Sequence, residues 1–185
     1  MATFIWKTLG LCCSRREALF PLIEEVARAK VVEVSADQID ALRKRITMNR
    51  LEANIFAEII DALKPTIAYI DAADVDERKF GRMVSAQMMR KAKIVSEHKA
   101  DDTYPSVSAA SIVAKVIRDR RIRQIESEIG EPIGSGYASD PDTIEFLNNW
   151  VKSNGSFPPH TRHSWETSQN IMTMNSLKSL DKFEG

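Results

Sequence analysis

Two short β-branched segments, Thr66-Ile67-Ala68-Tyr69-Ile70-Asp71 and Lys93-Ile94-Val95-Ser96-Glu97, constrain this chain most, because each runs into an acid and sits among helix-forming stretches. Runs of this length and composition read as strands. Lys30 to Val34 is a third short β-branched run and is expected to be another. Between and around them lie apolar residues at helical spacing. Ser14-Arg15-Arg16-Glu17 has the form of a capping box before Leu19, Leu22, Ile23, Val26 and Ala27. Ser35-Ala36-Asp37-Gln38 opens a second, short helix, and Leu51, Ile55, Ile59 and Leu63 stripe a third from Asn49 to its stop at Pro65. The stretch between the two leading strands is polar and compatible with a helix. Val107 to Ile129 predicts a long helix closed by Gly130, Asp140-Pro141 starts one through Val151, and a last one is expected near Ser164–Met172. Strands separated by helices predict an α/β domain.

Composition sets few further bounds. A chain of 185 residues, 43% hydrophobic and 28% charged, suits one globular domain with a core of its own. Lys+Arg and Asp+Glu both number 26, so a nucleic-acid partner requires a local basic patch rather than a basic chain. The two cysteines, Cys12 and Cys13, are neighbours, which argues against a disulfide framework and for a reducing cytoplasm. No apolar run reaches the length of a membrane span. The first residues, Met1 through Cys13, lack a basic leader region and a small-residue cleavage site. The expectation is a cytoplasmic protein without a membrane partner.

Asp71 stands at the carboxyl end of a strand, where open α/β sheets place their sites. Asp101 stands in the loop His98-Lys99-Ala100-Asp101-Asp102, after the next strand and before the long helix. Carboxylates at neighbouring strand ends can converge on a hard cation such as Mg²⁺ or Mn²⁺. Spacing alone leaves both open to the plainer reading of turn or capping aspartates. The segment Tyr104-Pro105-Ser106-Val107-Ser108-Ala109-Ala110-Ser111 brings small residues and hydroxyls to a helix start, which suits an anion or simply tight packing. Arg118, Arg120, Arg121 and Arg123 form a basic run that reads first as a solvated face. Tyr137, flanked by Gly134 and Gly136, could stack on a sugar or base, or sit half-buried in a turn. His160 and His163 lack a third nitrogen or thiolate nearby, so a structural zinc is not expected. His98 reads as a proton-transfer candidate or as a hydrogen-bonded structural histidine.

Taken in order from about Gly10 to Met172, these motifs resemble ribonuclease HII, especially its archaeal branch. The matching pieces are Tyr69-Ile70-Asp71, Glu97-His98-Lys99-Ala100-Asp101, and Tyr104-Pro105 with Ser108-Ala109-Ala110-Ser111-Ile112 and Ala114-Lys115. They continue with Gly134-Ser135-Gly136-Tyr137, Ser139-Asp140-Pro141, and Arg162 with Trp165 and Thr167. Each is weak alone, and their joint order is specific. The resemblance implies a ribonuclease H-like fold, a mixed central sheet flanked by helices. It implies hydrolysis of RNA in RNA–DNA hybrids, or at ribonucleotides embedded in DNA, with two Mg²⁺ or Mn²⁺ ions and 5′-phosphate and 3′-hydroxyl products. It assigns Asp71 and Asp101 to metal binding and catalysis, and Tyr137 to sensing the 2′-hydroxyl at an RNA–DNA junction. Lys99, Ser108, Ser111 and Lys115 fall to nucleic-acid contact, and the enzyme is expected to act as a monomer.

The chain departs from the family at its start. Two further family acids lie in an Asp-Glu-Ala-Gly-Arg-Gly strand for which residues 1–9 offer no match, and the strand after it has none either. The expected organisation is a non-family stretch over 1–9, a catalytic domain over 10–155 lacking its first two strands, and a C-terminal extension over 156–185. A chain so shortened is expected to cleave poorly, and a hybrid-binding module or an unstable fragment is the alternative.

Overall fold

The computed structural model describes residues 11–180, with side chains to Ser176, so the stretch over 1–9 lies outside the described residues. These residues form two compact units. One holds the described residues up to Glu33 together with Arg45–Ile117, and the other holds Val34–Lys44 and the chain from Arg118 onward.

In the first unit, helices α1 (Cys13–Val26) and α3 (Met48–Leu63) precede strand β1 (Ile67–Asp71), helix α4 (Glu77–Ser85), strand β2 (Lys93–Glu97) and the one-turn helix α5 (Ala100–Thr103). The opening part of the long helix α6 (Pro105–Ile129) completes it. β1 and β2 pair in parallel, Ile67 with Lys93 through Asp71 with Glu97, and form a two-stranded sheet. That register brings the carboxyl ends of both strands to the same edge. Alternation along β1 buries Ala68 and Ile70 and leaves Ile67 and Tyr69 exposed. The buried pair packs with Ala53, Ala57 and Ile60 of α3 and with Phe80 and Val84 of α4, where Phe56 and Phe80 meet edge to face at 5.8 Å. Gly81 lets α4 approach β2 closely, because a Cβ there would lie 3.0 Å from that of Ser96. A second cluster joins Phe20 of α1 to Ile112, Val113 and Val116 of α6.

Two local expectations fail near the start of the described residues. Ser14 does not cap α1. The helix begins at Cys13, its N-cap Cys12 makes no side-chain capping bond, and the Ser14 hydroxyl lies 3.2 Å from Cys12 Sγ instead. Lys30–Val34 does not form a strand, and only Val34 makes an isolated bridge. A strand exists only through a neighbour's backbone groups, which a β-branched composition cannot supply.

The second unit contains α2 (Ala36–Arg43), the rest of α6, α7 (Pro141–Asn154) and α8 (Glu166–Leu180). Here the cap expectations hold. Ser35 and Gln38 form a reciprocal capping box, and Asp140 caps α7 ahead of Pro141 at its first turn. Leu147 and Val151 of α7 pack on Ile171 of α8. The Asp40 carboxylate of α2 accepts from the His163 and Ser164 backbone amides at 2.7 and 3.3 Å. Among the described residues no helix is long and apolar enough to cross a membrane.

Candidate active site

Asp71 is the last residue of β1, and Asp101 lies in α5, just beyond the end of β2. The chain turns between them through Lys99, whose backbone is left-handed at φ 55°. That turn aims the Ala100 amide at Asp71 Oδ1, which accepts from it at 3.3 Å. The residue tethered to Asp71 therefore immediately precedes Asp101. Asp101 is only 4% exposed, and neither of its carboxylate oxygens has a hydrogen-bond partner. Burial pushes its carboxyl above the ordinary range, with the charges of Asp71 and Asp102 adding to the shift and that of Lys115 opposing it. Buried polar atoms are nearly always paired, so a carboxylate left this way is one of the groups here that could hold a cation.

Both aspartates line a cleft of about 470 Å³ that runs along β1. All five β1 residues border it and no residue of β2 does, so the cleft follows the β1 edge that carries no partner strand among the described residues. Residues 27–32 also border it, Lys30, Val31 and Val32 of the run expected to form a strand among them, together with Ile55, Ile59 and Val113. Glu52 on α3, buried and absent from the sequence-level candidates, borders the same cleft. A lone glutamate on a helix face gives no sequence signal of this kind.

Beside the carboxylates, Tyr104 donates from its hydroxyl to both Glu97 carboxylate oxygens at 3.0 and 3.1 Å, and its ring lies 4.3 Å from that of Tyr69. Burial and the Glu97 carboxylate raise the Tyr104 phenol above its ordinary value. Lys99 is exposed, whereas Ser108, Ser111 and Lys115 are half-buried on the opening turns of α6. Ser111 borders the cleft and Ser108 does not. Among the described residues no group of three or more His, Cys, Asp or Glu side chains is arranged to hold a metal ion.

Tyr137 belongs to the other unit, where it is 42% exposed in the loop between α6 and α7. Asp140 organises that loop. Its carboxylate accepts from the Ser135 hydroxyl and amide, both at 2.6 Å, and from Thr143 Oγ1 at 3.1 Å. These donors, Ser135 foremost, hold the Asp140 carboxyl down to about 2. Gly134 and Gly136 take left-handed backbones at φ 72° and 71°, and a Cβ on Gly136 would come within 2.6 Å of Ile122 Cδ1.

The expectation of a solvated basic face on α6 fails at Arg118. It is 4% exposed, while Arg120 and Arg123 are exposed and Arg121 pairs with Glu128 at 3.4 Å. One helical turn cannot send every member of such a run outward, since neighbours are rotated by about a quarter-turn each. His160 lies 3.4 Å from Glu128, and His163 packs edge-on against Phe157. His98 meets the Val75 carbonyl oxygen at 3.1 Å.

Comparison with known proteins decides the family. The family model described as Ribonuclease HII matches residues 8–168. The chain belongs to the ribonuclease HII family. Ribonuclease HII of Methanoregula boonei is 44% identical over 92% of this chain and 79% of its own length. The solved ribonuclease H2 of Pyrococcus horikoshii, 39% identical, superposes at a TM-score of 0.81 over 90% of this chain and 79% of that one. The ribonuclease HII solved in complex with PCNA from Archaeoglobus fulgidus is 41% identical, with a TM-score of 0.80 over 88% of this chain and 77% of that one. This family member accordingly has the α/β fold of the ribonucleases HII and the function of a ribonuclease H hydrolase.

Proposed function

We propose that this ribonuclease HII family member cuts RNA strands paired to DNA through a divalent-cation site built on Asp71 and Asp101. The observation that carries the reading is the buried Asp101 carboxylate, unpartnered at both oxygens and beside Asp71. As a purely structural residue it would cost stability for no return. The donor set is all oxygen, which fits the hard cations Mg²⁺ and Mn²⁺. When bound, such ions supply water activation and charge neutralisation at the phosphate. Two carboxylates leave room for water, substrate phosphate and any further carboxylate brought to the cleft along β1.

The chain's own residues do the rest. The Ala100 amide fixes the Asp71 carboxylate, and burial fixes Asp101. Lys99 and Lys115 offer positive charge, and Ser108 and Ser111 offer hydroxyls, to the nucleic-acid backbone. Tyr137 presents a ring and a hydroxyl that suit a ribose 2′-hydroxyl. The substrates are then RNA–DNA hybrids or DNA with embedded ribonucleotides, and the enzyme works as a monomer. Its two cysteines, Cys12 and Cys13, are exposed and not joined in a disulfide, which suits the reducing cytoplasm.

The test is cleavage of a labelled RNA–DNA hybrid with Mg²⁺ or Mn²⁺ by the wild type, Asp71→Asn and Asp101→Asn. Both variants should lose the cation-dependent product. Retention of the wild-type rate in either would return that residue to a turn role.

A further inference from the structure

Arg118 is the one member of the basic run that the fold takes inside, and what it touches is the recognition loop. Its guanidinium carbon lies 3.7 Å from the centre of the Tyr137 ring. Nη2 donates to the Ser135 carbonyl oxygen at 2.7 Å, and Nη1 meets Asp119 Oδ1 at 3.3 Å. Gly136, between those two loop residues, lies so close that a Cβ there would be 3.4 Å from Nη2. One side chain thus grips the loop backbone and covers one face of the ring. Tyr137 itself stays 42% exposed.

We infer that Arg118 is a positioning residue for Tyr137. Its planar guanidinium fixes the plane of the tyrosine ring so that the free face and hydroxyl are already set for a ribose. The inference rests on the reading that Tyr137 contacts the 2′-hydroxyl. Burying a guanidinium is costly, and tight loop packing alone could be had from an apolar side chain. Arginine adds a flat cation that attracts a π face and a fork that reaches a carbonyl oxygen at the same time. A ring held this way gives up little freedom on binding, which favours discrimination at the sugar. Lysine offers a point charge with no plane, so it cannot reproduce both contacts.

The experiment measures binding, which keeps it independent of turnover. Affinity is compared for duplex DNA carrying one embedded ribonucleotide and for the same duplex without it, by fluorescence anisotropy in EDTA. Tyr137→Ala should abolish the preference for the ribonucleotide. Arg118→Lys should reduce it by roughly three- to tenfold, the scale of a partly desolvated cation–π contact, while affinity for the all-DNA duplex stays near the wild-type value. In the Tyr137→Ala background Arg118→Lys should change the preference no further. Arg118→Gln, which keeps a planar donor without the charge, is the second variant, and each is measured below its own unfolding midpoint. An intact preference in both Arg118 variants, with Tyr137→Ala having lost it, overturns the positioning role and leaves the tyrosine reading standing. An intact preference in Tyr137→Ala overturns the tyrosine reading itself. Failure of both Arg118 variants to fold at any temperature would make Arg118 a structural residue and overturn the inference.

Discussion

The carboxylate edge at β1 and the loop that carries Tyr137 treat their polar atoms in opposite ways. At the edge, Asp101 is buried with neither oxygen satisfied, and Asp71 has one long bond from a backbone amide. In the loop, a single carboxylate, Asp140, takes bonds from Ser135 and Thr143, and Thr143 in turn bonds Gly136 and Ile133. A buried carboxylate that keeps its oxygens unpartnered bears a cost in stability. The loop instead ties Ser135, Gly136 and Ile133 together through Asp140 and Thr143. On the proposed reading, the first is where a cation binds and the second is where the sugar is met.

The largest effect that could break this contrast is on turnover. Asp71→Asn and Asp101→Asn should each reduce cation-dependent cleavage by at least ~10²-fold, because even groups that only support metal ligands cost about 10–100-fold when removed. Without added metal, Asp101→Asn should unfold no lower than the wild type near neutral pH. The sign follows from the raised Asp101 carboxyl. Its destabilisation is absent below the ordinary aspartate value and grows as pH rises through the raised one. The stability difference between variant and wild type should therefore open with rising pH in that window, read by thermal unfolding across a pH series.

In the loop the effects run the other way and are smaller. Gly136→Ala meets Ile122 Cδ1 at 2.6 Å on a left-handed backbone and should destabilise by about 1–3 kcal/mol, measured by urea unfolding. Asp140→Asn should matter only where Asp140 is charged. With its folded value near 2, below the ordinary 3.8, its contribution is fully present above pH 4 and fades as pH falls toward 2. Wild type and variant should converge in acid and separate at neutral pH. A difference independent of pH would mean that the loop depends on shape alone.

What the sequence shows of this molecule divides along similar lines. β1, β2, α3 and the caps at Ser35 and Asp140 are legible because their signals are local: β-branched runs, a helical stripe, a side chain that bonds its own backbone a few residues on. The fate of Lys30–Val34 is not, because its signal concerns its own composition while a strand depends on a neighbour. Asp71 and Asp101 stand out by position at strand ends, but that Asp101 is buried and unsatisfied comes only from how α5 packs. Arg118 reads in the sequence as one more solvated arginine, since nothing in an arginine-rich run marks which member the next loop will cover. Glu52 gave no signal at all, and only the cleft reveals what it borders.

The most direct test of the cation site is thermal unfolding of the wild type and of an Asp71→Asn/Asp101→Asn double variant, with and without Mn²⁺. A cation that binds the folded chain alone should stabilise the wild type by about 2.7 kcal/mol at a concentration a hundredfold above its Kd. The double variant should show no Mn²⁺-dependent shift. An equal shift in both proteins, or none in the wild type, would contradict a cation site at Asp71 and Asp101.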